Sequence, residues 1–143
     1  PDRMTAVVSQ DPEGPLWYRG LAQGKPDLLP HVEALLVRHG VKRIVVGHTP
    51  TEGLVLPRYG GRVVQIDVGL AQAYGGPAAA LVLEEGRAFA LHRGRKLPLP
   101  ETDGEPLLAY VREVVALEPE SAKLKALLSR LESAAVPATP VSR

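Results

Sequence analysis

The sequence contains no cysteine and no run of about 18 apolar residues. Without cysteine there are no disulfides and no thiolate metal sites, so any metal ligand must be a histidine, carboxylate, amide or backbone group. No basic-then-apolar leader opens the chain. These absences predict a soluble protein with no membrane partner, and the lack of cysteine is compatible with a cytoplasmic location.

The sequence also lacks an excess of charge of either sign, because it has 17 lysines and arginines and 16 aspartates and glutamates. The basic residues are scattered along the chain, which argues against nucleic acid or an anionic membrane as a partner. The 143 residues, 45% hydrophobic and 23% charged, are enough for one domain with a core. The sequence begins with Pro1, and its only methionine is Met4. We therefore expect an excised or truncated chain.

The spacing of apolar residues predicts a mixed α/β chain. Residues 28–39 have the i, i+4, i+7, i+8 pattern of an amphipathic helix, with Asp27 as cap or Pro30 at an early helical position and Gly40 as its stop. A buried strand at 42–46 and a second strand at 62–67 follow. A hairpin is predicted at 78–84 and 87–92, loose chain around 97–100, and helices at 106–117 and 120–134.

The sharpest local feature is the turn Gly47-His48-Thr49-Pro50, which directly follows the first predicted strand. Ligands of α/β sheets gather beyond the carboxyl ends of strands, and a glycine before the histidine lets the backbone turn tightly. A metal ligand suits this place. From spacing alone, the alternative is a histidine that caps the loop by hydrogen bonds, and spacing does not favour the ligand over it.

This turn resembles the C-terminal motif region of calcineurin-like metallophosphoesterases, in the branch related to protein serine/threonine phosphatases. The resemblance also rests on two later stretches, Ile66-Asp67-Val68-Gly69 and Tyr74-Gly75-Gly76. It implies that His48 binds one of two metal ions. Many members have a second histidine where this sequence has Pro50, so only His48 is carried over as a ligand.

The resemblance implies two further site residues. The segment from Gly14 to Gly20 is similar to a stretch of bacterial phosphatases of this branch, and there Arg19 would clamp the phosphate with its planar guanidinium. The alternative is a surface arginine beside a core tryptophan. Tyr74 would lie in a loop lining the cleft, or would only pack a turn. Apart from the resemblance, the place of Asp67 at a strand end suits a carboxylate that orients an imidazole, or one that caps the turn after the strand.

The other histidines are not assigned to metal. His31 and His39 lie near opposite ends of the predicted first helix, too far apart for joint ligation, and His92 ends a hairpin strand as a structural residue.

The resemblance covers about residues 14–93 and implies a fold, an activity and a cofactor. The fold is a four-layered αββα sandwich with a mixed sheet, divided here into residues 1–100, a helical extension at 101–136 and a flexible tail at 137–143. The activity is hydrolysis of phosphate monoesters, on a phosphoprotein or small phosphoester, with two divalent ions (Mn, Fe or Zn). The family's upstream motifs are absent, so we expect this chain to be inactive alone.

Two alternatives stay open. One is a symmetrical dinucleoside-polyphosphate hydrolase, a relative with the same motif order. The other is a non-catalytic α/β interaction domain, in which the leucine face of the last helix (Leu124, Leu127, Leu128 and Leu131) docks a partner and His48 only caps a turn.

Overall fold

The computed structural model describes residues 8, 10–12, 14 and 16–135. Its elements are α1 (Gly20–Gln23), a 3-10 turn (Pro26–Leu28), α2 (Leu29–His39), β1 (Ile44–Val46), β2 (Leu56–Arg58), β3 (Val63–Gln65), β4 (Ala79–Glu84), β5 (Arg87–His92), β6 (Arg95–Pro98), α3 (Glu105–Leu117) and α4 (Ala122–Ala135). The strands form two three-stranded sheets, so the α/β class is confirmed.

The first sheet is mixed and has β3 at its centre, in the order β1-β3-β2. Strand β1 runs parallel to β3, with Val45 opposite Val64, while β2 runs antiparallel to β3, with Pro57 opposite Val64. All three residues of β3 are buried. Strand β1 was expected to be buried but lies at the sheet edge, where Val45 is 40% exposed, because no described strand pairs with its outer side.

Helix α2 covers one face of this sheet. Val32 and Leu36 pack with Tyr59 and Val63 in a small core, as the predicted apolar face requires. The helix ends at Gly40, whose φ of 61° is the left-handed conformation expected there. The alternative of Asp27 as the cap was wrong: Leu28 takes that place without a side-chain hydrogen bond, and Pro30 lies in the first turn.

The second sheet is a meander of β4, β5 and β6 joined by two-residue turns. Both residues of each turn have positive φ, 49° and 77° at Glu85 and Gly86, and 49° and 76° at Arg93 and Gly94. This pattern is that of type I′ hairpin turns, whose twist matches the flanking strands. The predicted hairpin is therefore confirmed and continues into a third strand.

Strands β2 and β6 were missed because each contains a proline, which sequence patterns read as loop. Both strands lie at sheet edges, where a missing N–H costs no ladder bond. The chain expected to be loose at 97–100 instead buries Leu97 and Leu99 in the main core.

Helices α3 and α4 close this main core against both sheets. From the leucine face of α4, Leu124 and Leu127 are buried and Leu128 and Leu131 are partly buried against the same cluster. The Tyr110 hydroxyl of α3 donates a buried hydrogen bond of 2.7 Å to the carbonyl of Val55, and burial raises the pKa of Tyr110. The leucine face is thus occupied inside the chain.

The four-layered arrangement and the domain boundaries at residues 100 and 136 stay predictions. The predicted tail, 137–143, lies outside the described residues. Within the part of the chain that the structure describes, no helix is long and apolar enough to cross a membrane.

A buried histidine joins the second sheet to the end of α3. His92 is fully buried, and its Nε2 lies 3.3 Å from a carboxylate oxygen of Glu118 without hydrogen-bond alignment. Arg93 binds the same carboxylate with two guanidinium nitrogens. Burial lowers the pKa of His92 and outweighs the opposing effect of Glu118, while Arg93 lowers it further. Its environment therefore favours the neutral imidazole.

We predict that the free energy of unfolding falls as the pH drops below the ordinary histidine value of 6.5. The unfolded chain then takes up a proton that folded His92 resists, and the loss continues until the pH passes the lowered pKa of the folded state. Urea unfolding between pH 7 and about 5 measures this slope, above the range in which Glu118 itself titrates. His92→Leu should flatten it, whereas the exposed-site control His31→Gln should not. Equal slopes in wild type and His92→Leu would contradict the assignment.

Candidate functional site

The parallel pairing of β1 with β3 brings two turns to one end of the first sheet. The turn at 47–50 follows β1 and the turn at 66–69 follows β3. Backbone hydrogen bonds join them, from Ile66 N–H to the Val46 carbonyl at 3.0 Å and from Thr51 N–H to the Asp67 carbonyl at 2.7 Å. The two motifs therefore meet at the carboxyl ends of two parallel strands.

Thr51 holds the two turns together and was missed from the sequence. Its hydroxyl donates to the Leu54 carbonyl at 2.7 Å, lies 3.2 Å from the Asp67 carbonyl, and is 3.4 Å from the Gly53 N–H. A threonine two residues before a glycine is a turn signal that pointed to this role.

Arg19 lies across a cleft from the histidine turn. The cleft, of about 240 Å³, is lined on one side by Val46, Gly47 and Thr49 and on the other by residues around Arg19 (Tyr18, Arg19, Leu21 and Ala22). We call it the β1-end cleft. It brings together two sequence segments that are separated by more than twenty residues.

The Arg19 side is fixed by β2 and the residue after it. Arg58 donates to the Gly24 carbonyl, and the Tyr59 hydroxyl lies 3.4 Å and 3.3 Å from the carbonyls of Gly20 and Lys25. These contacts attach α1 to the first sheet. Arg19, the residue that precedes α1, is thereby held at the rim of the cleft.

The Arg19 guanidinium is half-buried and has no carboxylate partner among the described residues. It donates to the carbonyls of Leu16 and Tyr18 at 3.2 Å and 3.4 Å, and its centre lies 5.9 Å from the Trp17 ring. Trp17 is 50% exposed, so the alternative of a core tryptophan is not met. The Tyr18 ring folds back over Gly20, where a β-carbon would stand 2.0 Å from the phenol oxygen.

His48 occupies the strained position of its turn. Its φ is 58°, in the left-handed region that costs a non-glycine residue about 1 kcal/mol or more. The glycine expected to make the turn, Gly47, has no positive φ, and the space that a β-carbon would fill there is open. The histidine is exposed and its imidazole has no hydrogen bond or ion pair with the described residues.

Asp67 behaves as a turn cap rather than as a partner of the imidazole. Its carboxylate accepts a hydrogen bond of 3.1 Å from the Gly69 N–H. Such a bond between an aspartate and the amide two residues on is an Asx turn, which stabilises the backbone after a strand. Since the carboxylate is engaged with its own turn, the turn-cap alternative describes Asp67 better than an orienting contact with His48.

Tyr74 lies close to the end of the histidine turn at Pro50. A β-carbon on Gly69 would meet Tyr74 Cβ at 2.9 Å and Pro50 Cβ at 4.0 Å, so Gly69 lets the two segments approach. Lys123 of α4 holds the loop by a 2.7 Å bond to the Tyr74 carbonyl. The Tyr74 side chain is 54% exposed and does not line the β1-end cleft.

The described residues do not make a metal site by themselves. No group of three or more histidine, aspartate or glutamate side chains within the described ranges has the arrangement to hold an ion. The exposed imidazole of His48 fits a metal ligand chemically, because neither ring nitrogen has a protein partner within the described ranges. A metal needs several such donors, and this part of the chain offers one.

Comparisons with known proteins give two partial likenesses, and no family model matches the chain. It is 37% identical over 92 residues to an uncharacterised protein of Schizosaccharomyces pombe, a match that covers 61% of this chain and 28% of that protein. It also resembles a solved cold-active protein tyrosine phosphatase with a TM-score of 0.57 and 26% identity, over 68% of this chain and 28% of that one. The chain thus spans little more than a quarter of either relative.

We predict that glycine at position 48 stabilises the fold relative to alanine by about 1 kcal/mol, because alanine keeps the left-handed strain and glycine does not. At Thr49, whose φ is not positive, the order of the two substitutions should reverse. Urea unfolding of the four variants measures both differences. If alanine and glycine at position 48 are equally stable, the turn is not strained at the histidine.

Proposed function

We propose that this chain is part of a phosphatase and contributes one wall of its active cleft. The observation that carries the proposal is the β1-end cleft, in which the Arg19 segment faces the turn that bears His48. Arg19 lines this cleft, whereas His48 is exposed on the same turn and is not among the lining residues. A guanidinium suits a phosphate ester because its planar N–H groups can bind two of the ester's oxygens. The likeness to a solved tyrosine phosphatase supports the same reaction class.

The finer proposal is a metal-dependent enzyme of the calcineurin-like metallophosphoesterase family. The chain has no cysteine, so a thiolate nucleophile cannot come from these residues and hydrolysis by water is the route they favour. Two divalent ions would supply an activated water and polarise the phosphoryl oxygens. His48 would be this chain's ligand to one of them, and the remaining ligands would come from other segments.

Arg19 would hold the phosphate. Among the described residues, its hydrogen bonds go to two neutral carbonyls at 3.2 Å and 3.4 Å, which are long bonds to uncharged groups. A phosphate would offer shorter, charge-assisted bonds to the same nitrogens. The guanidinium stays protonated throughout, so it can stabilise the charge that develops on the transferring group.

The aromatic residues at this end of the molecule favour an aryl phosphate. Trp17 and Tyr18, which directly precede Arg19, are 50% and 43% exposed. Exposed rings beside a phosphate-binding guanidinium can pack against an aromatic leaving group. Phosphotyrosine is therefore our first candidate substrate, ahead of phosphoserine.

The interaction-domain alternative loses its main support. It required the leucine face of α4 to be free for a partner, whereas Leu124 and Leu127 are buried in the chain's own core.

No specific feature of the β1-end cleft favours the dinucleoside-polyphosphate alternative over a monoester.

The test is hydrolysis of an aryl phosphate with added manganese, by this chain and by a form extended by its flanking coding sequence. We expect activity in the extended form. Arg19→Gln and His48→Ala should each lower kcat/KM by about a hundredfold, the usual cost of removing a transition-state contact or a group that supports a metal.

Matched controls remove the same residue types elsewhere. Arg38→Gln and His31→Ala alter exposed residues of α2 and should change the rate by less than about twofold. Manganese binding to the extended form, followed by its paramagnetic signal, should weaken in His48→Ala alone among the histidine variants. An inert extended form, or full activity in His48→Ala, would overturn the proposal.

A further inference from the structure

A second cleft lies at the opposite end of the first sheet. Lys42 and Arg43 directly precede β1, and Arg62 directly precedes β3. Because these strands are parallel, their amino ends meet at one edge, separated from the β1-end cleft by the length of a three-residue strand, about 10 Å. The three cations line a polar opening of about 350 Å³ with one carboxylate, Glu101. We call it the basic cleft.

The floor of the basic cleft is backbone. Gly60 and Gly61 have φ values of 60° and 76°, and a β-carbon on Gly61 would stand 2.8 Å from the Pro100 carbonyl oxygen. A side chain at that position would be strained and would clash with backbone that cannot move aside. The two glycines therefore let the 60–61 turn pack closely against the backbone at Pro100 and Glu101, beside the opening.

The three cations differ in how well they are satisfied. Arg62 is paired, with Glu33 at 2.9 Å and the Tyr59 carbonyl at 3.1 Å. Lys42 makes no hydrogen bond or ion pair with any described residue, and its Nζ is 3.3 Å from the place of a β-carbon on Gly86. Lys42 thus has three N–H donors to offer an anion.

Arg43 is the most buried of the three and the least well paired for its burial. Its side chain is only 13% exposed, and its one charged partner in the described chain is Glu101, 75% exposed, at 3.4 Å. A pair at that distance with an exposed carboxylate contributes little, and Glu101 can swing into solvent. A desolvated guanidinium that makes so few of its five possible hydrogen bonds within the described chain favours a stronger anion.

We propose that the basic cleft binds a phosphate group, held by Lys42 and Arg43 after Glu101 leaves Arg43. Phosphate suits these donors because its oxygens accept bidentate bonds from a guanidinium and further bonds from an ammonium group. This site is separate from the β1-end cleft and does not rest on the proposed function. It would give the protein a place for free phosphate or a phosphorylated ligand away from any reaction.

The experiment titrates inorganic phosphate into this chain at constant ionic strength set by chloride, with backbone amide shifts as the readout. We expect saturable shifts at Gly60, Gly61 and Arg43, with a Kd on the order of 1 mM. A parallel titration with phosphoserine distinguishes the ligand's source: tighter binding identifies a phosphorylated molecule, and weaker binding identifies free phosphate.

Three variants test the contacts. Lys42→Gln should weaken phosphate binding about tenfold. Lys125→Gln makes the same charge change at an exposed position of α4 and should alter binding less than about twofold. Glu101→Gln should tighten binding about threefold, because the competing carboxylate is gone. A gain in affinity cannot come from misfolding, so this variant stays informative even if another is unstable.

Each contrary result is distinct. Equal losses of phosphate affinity in Lys42→Gln and Lys125→Gln would mean that only the net charge of the protein matters. Unchanged affinity in Glu101→Gln would mean that the Glu101 carboxylate does not compete with phosphate for Arg43. Either result would contradict the proposed site. Shifts confined to Gly47 and Thr49 would overturn this site while supporting phosphate binding in the β1-end cleft. Shifts at the basic cleft together with an inert extended enzyme would leave this inference intact and remove the proposed function.

Discussion

The parallel pairing of β1 with β3 is the constraint on which the rest of the structure depends. Strand β3 is buried along its whole length, with α2 over one face and the main core behind the other. Its direction relative to β1 collects the histidine turn and the Asp67 turn at one end and three basic residues at the other. The basic cleft is a direct consequence of this pairing, whereas the β1-end cleft also needs the contacts of Arg58 and Tyr59 that attach α1 to the sheet.

The histidine turn shows where the chain accepts a local cost. His48 takes the left-handed conformation although a glycine stands next to it in a relaxed one. Strain at an exposed polar residue without a partner in the described chain is a pattern of functional sites, where the surrounding structure holds the residue in place. Here the backbone hydrogen bonds between the two turns and the hydroxyl of Thr51 stabilise the conformation of the histidine turn.

The second sheet and the last two helices serve a different purpose. They build the larger core, take up the leucine face of α4 and bury His92 beside Glu118. Their link to the site runs through Lys123, which holds the Tyr74 loop, and through the close approach of Gly69 to both Tyr74 and Pro50. The residues of the phosphatase proposal therefore belong to the first sheet and the segment before it. The second sheet and the last two helices stabilise the loop beside them.

The sequence alone determined helices α2, α3 and α4, strands β1 and β3, the hairpin and the Gly40 stop, because periodicity and turn residues act over a few neighbours. It also singled out His48 and Arg19, the first by its place after a strand and by a family resemblance, the second by the resemblance. It missed β2 and β6, since proline is acceptable in a strand only if that strand is at an edge, which tertiary structure decides. The same holds for charge: Lys42 and Arg43 are distant from Arg62 in the sequence, and the three form one basic cleft because two parallel strands begin side by side.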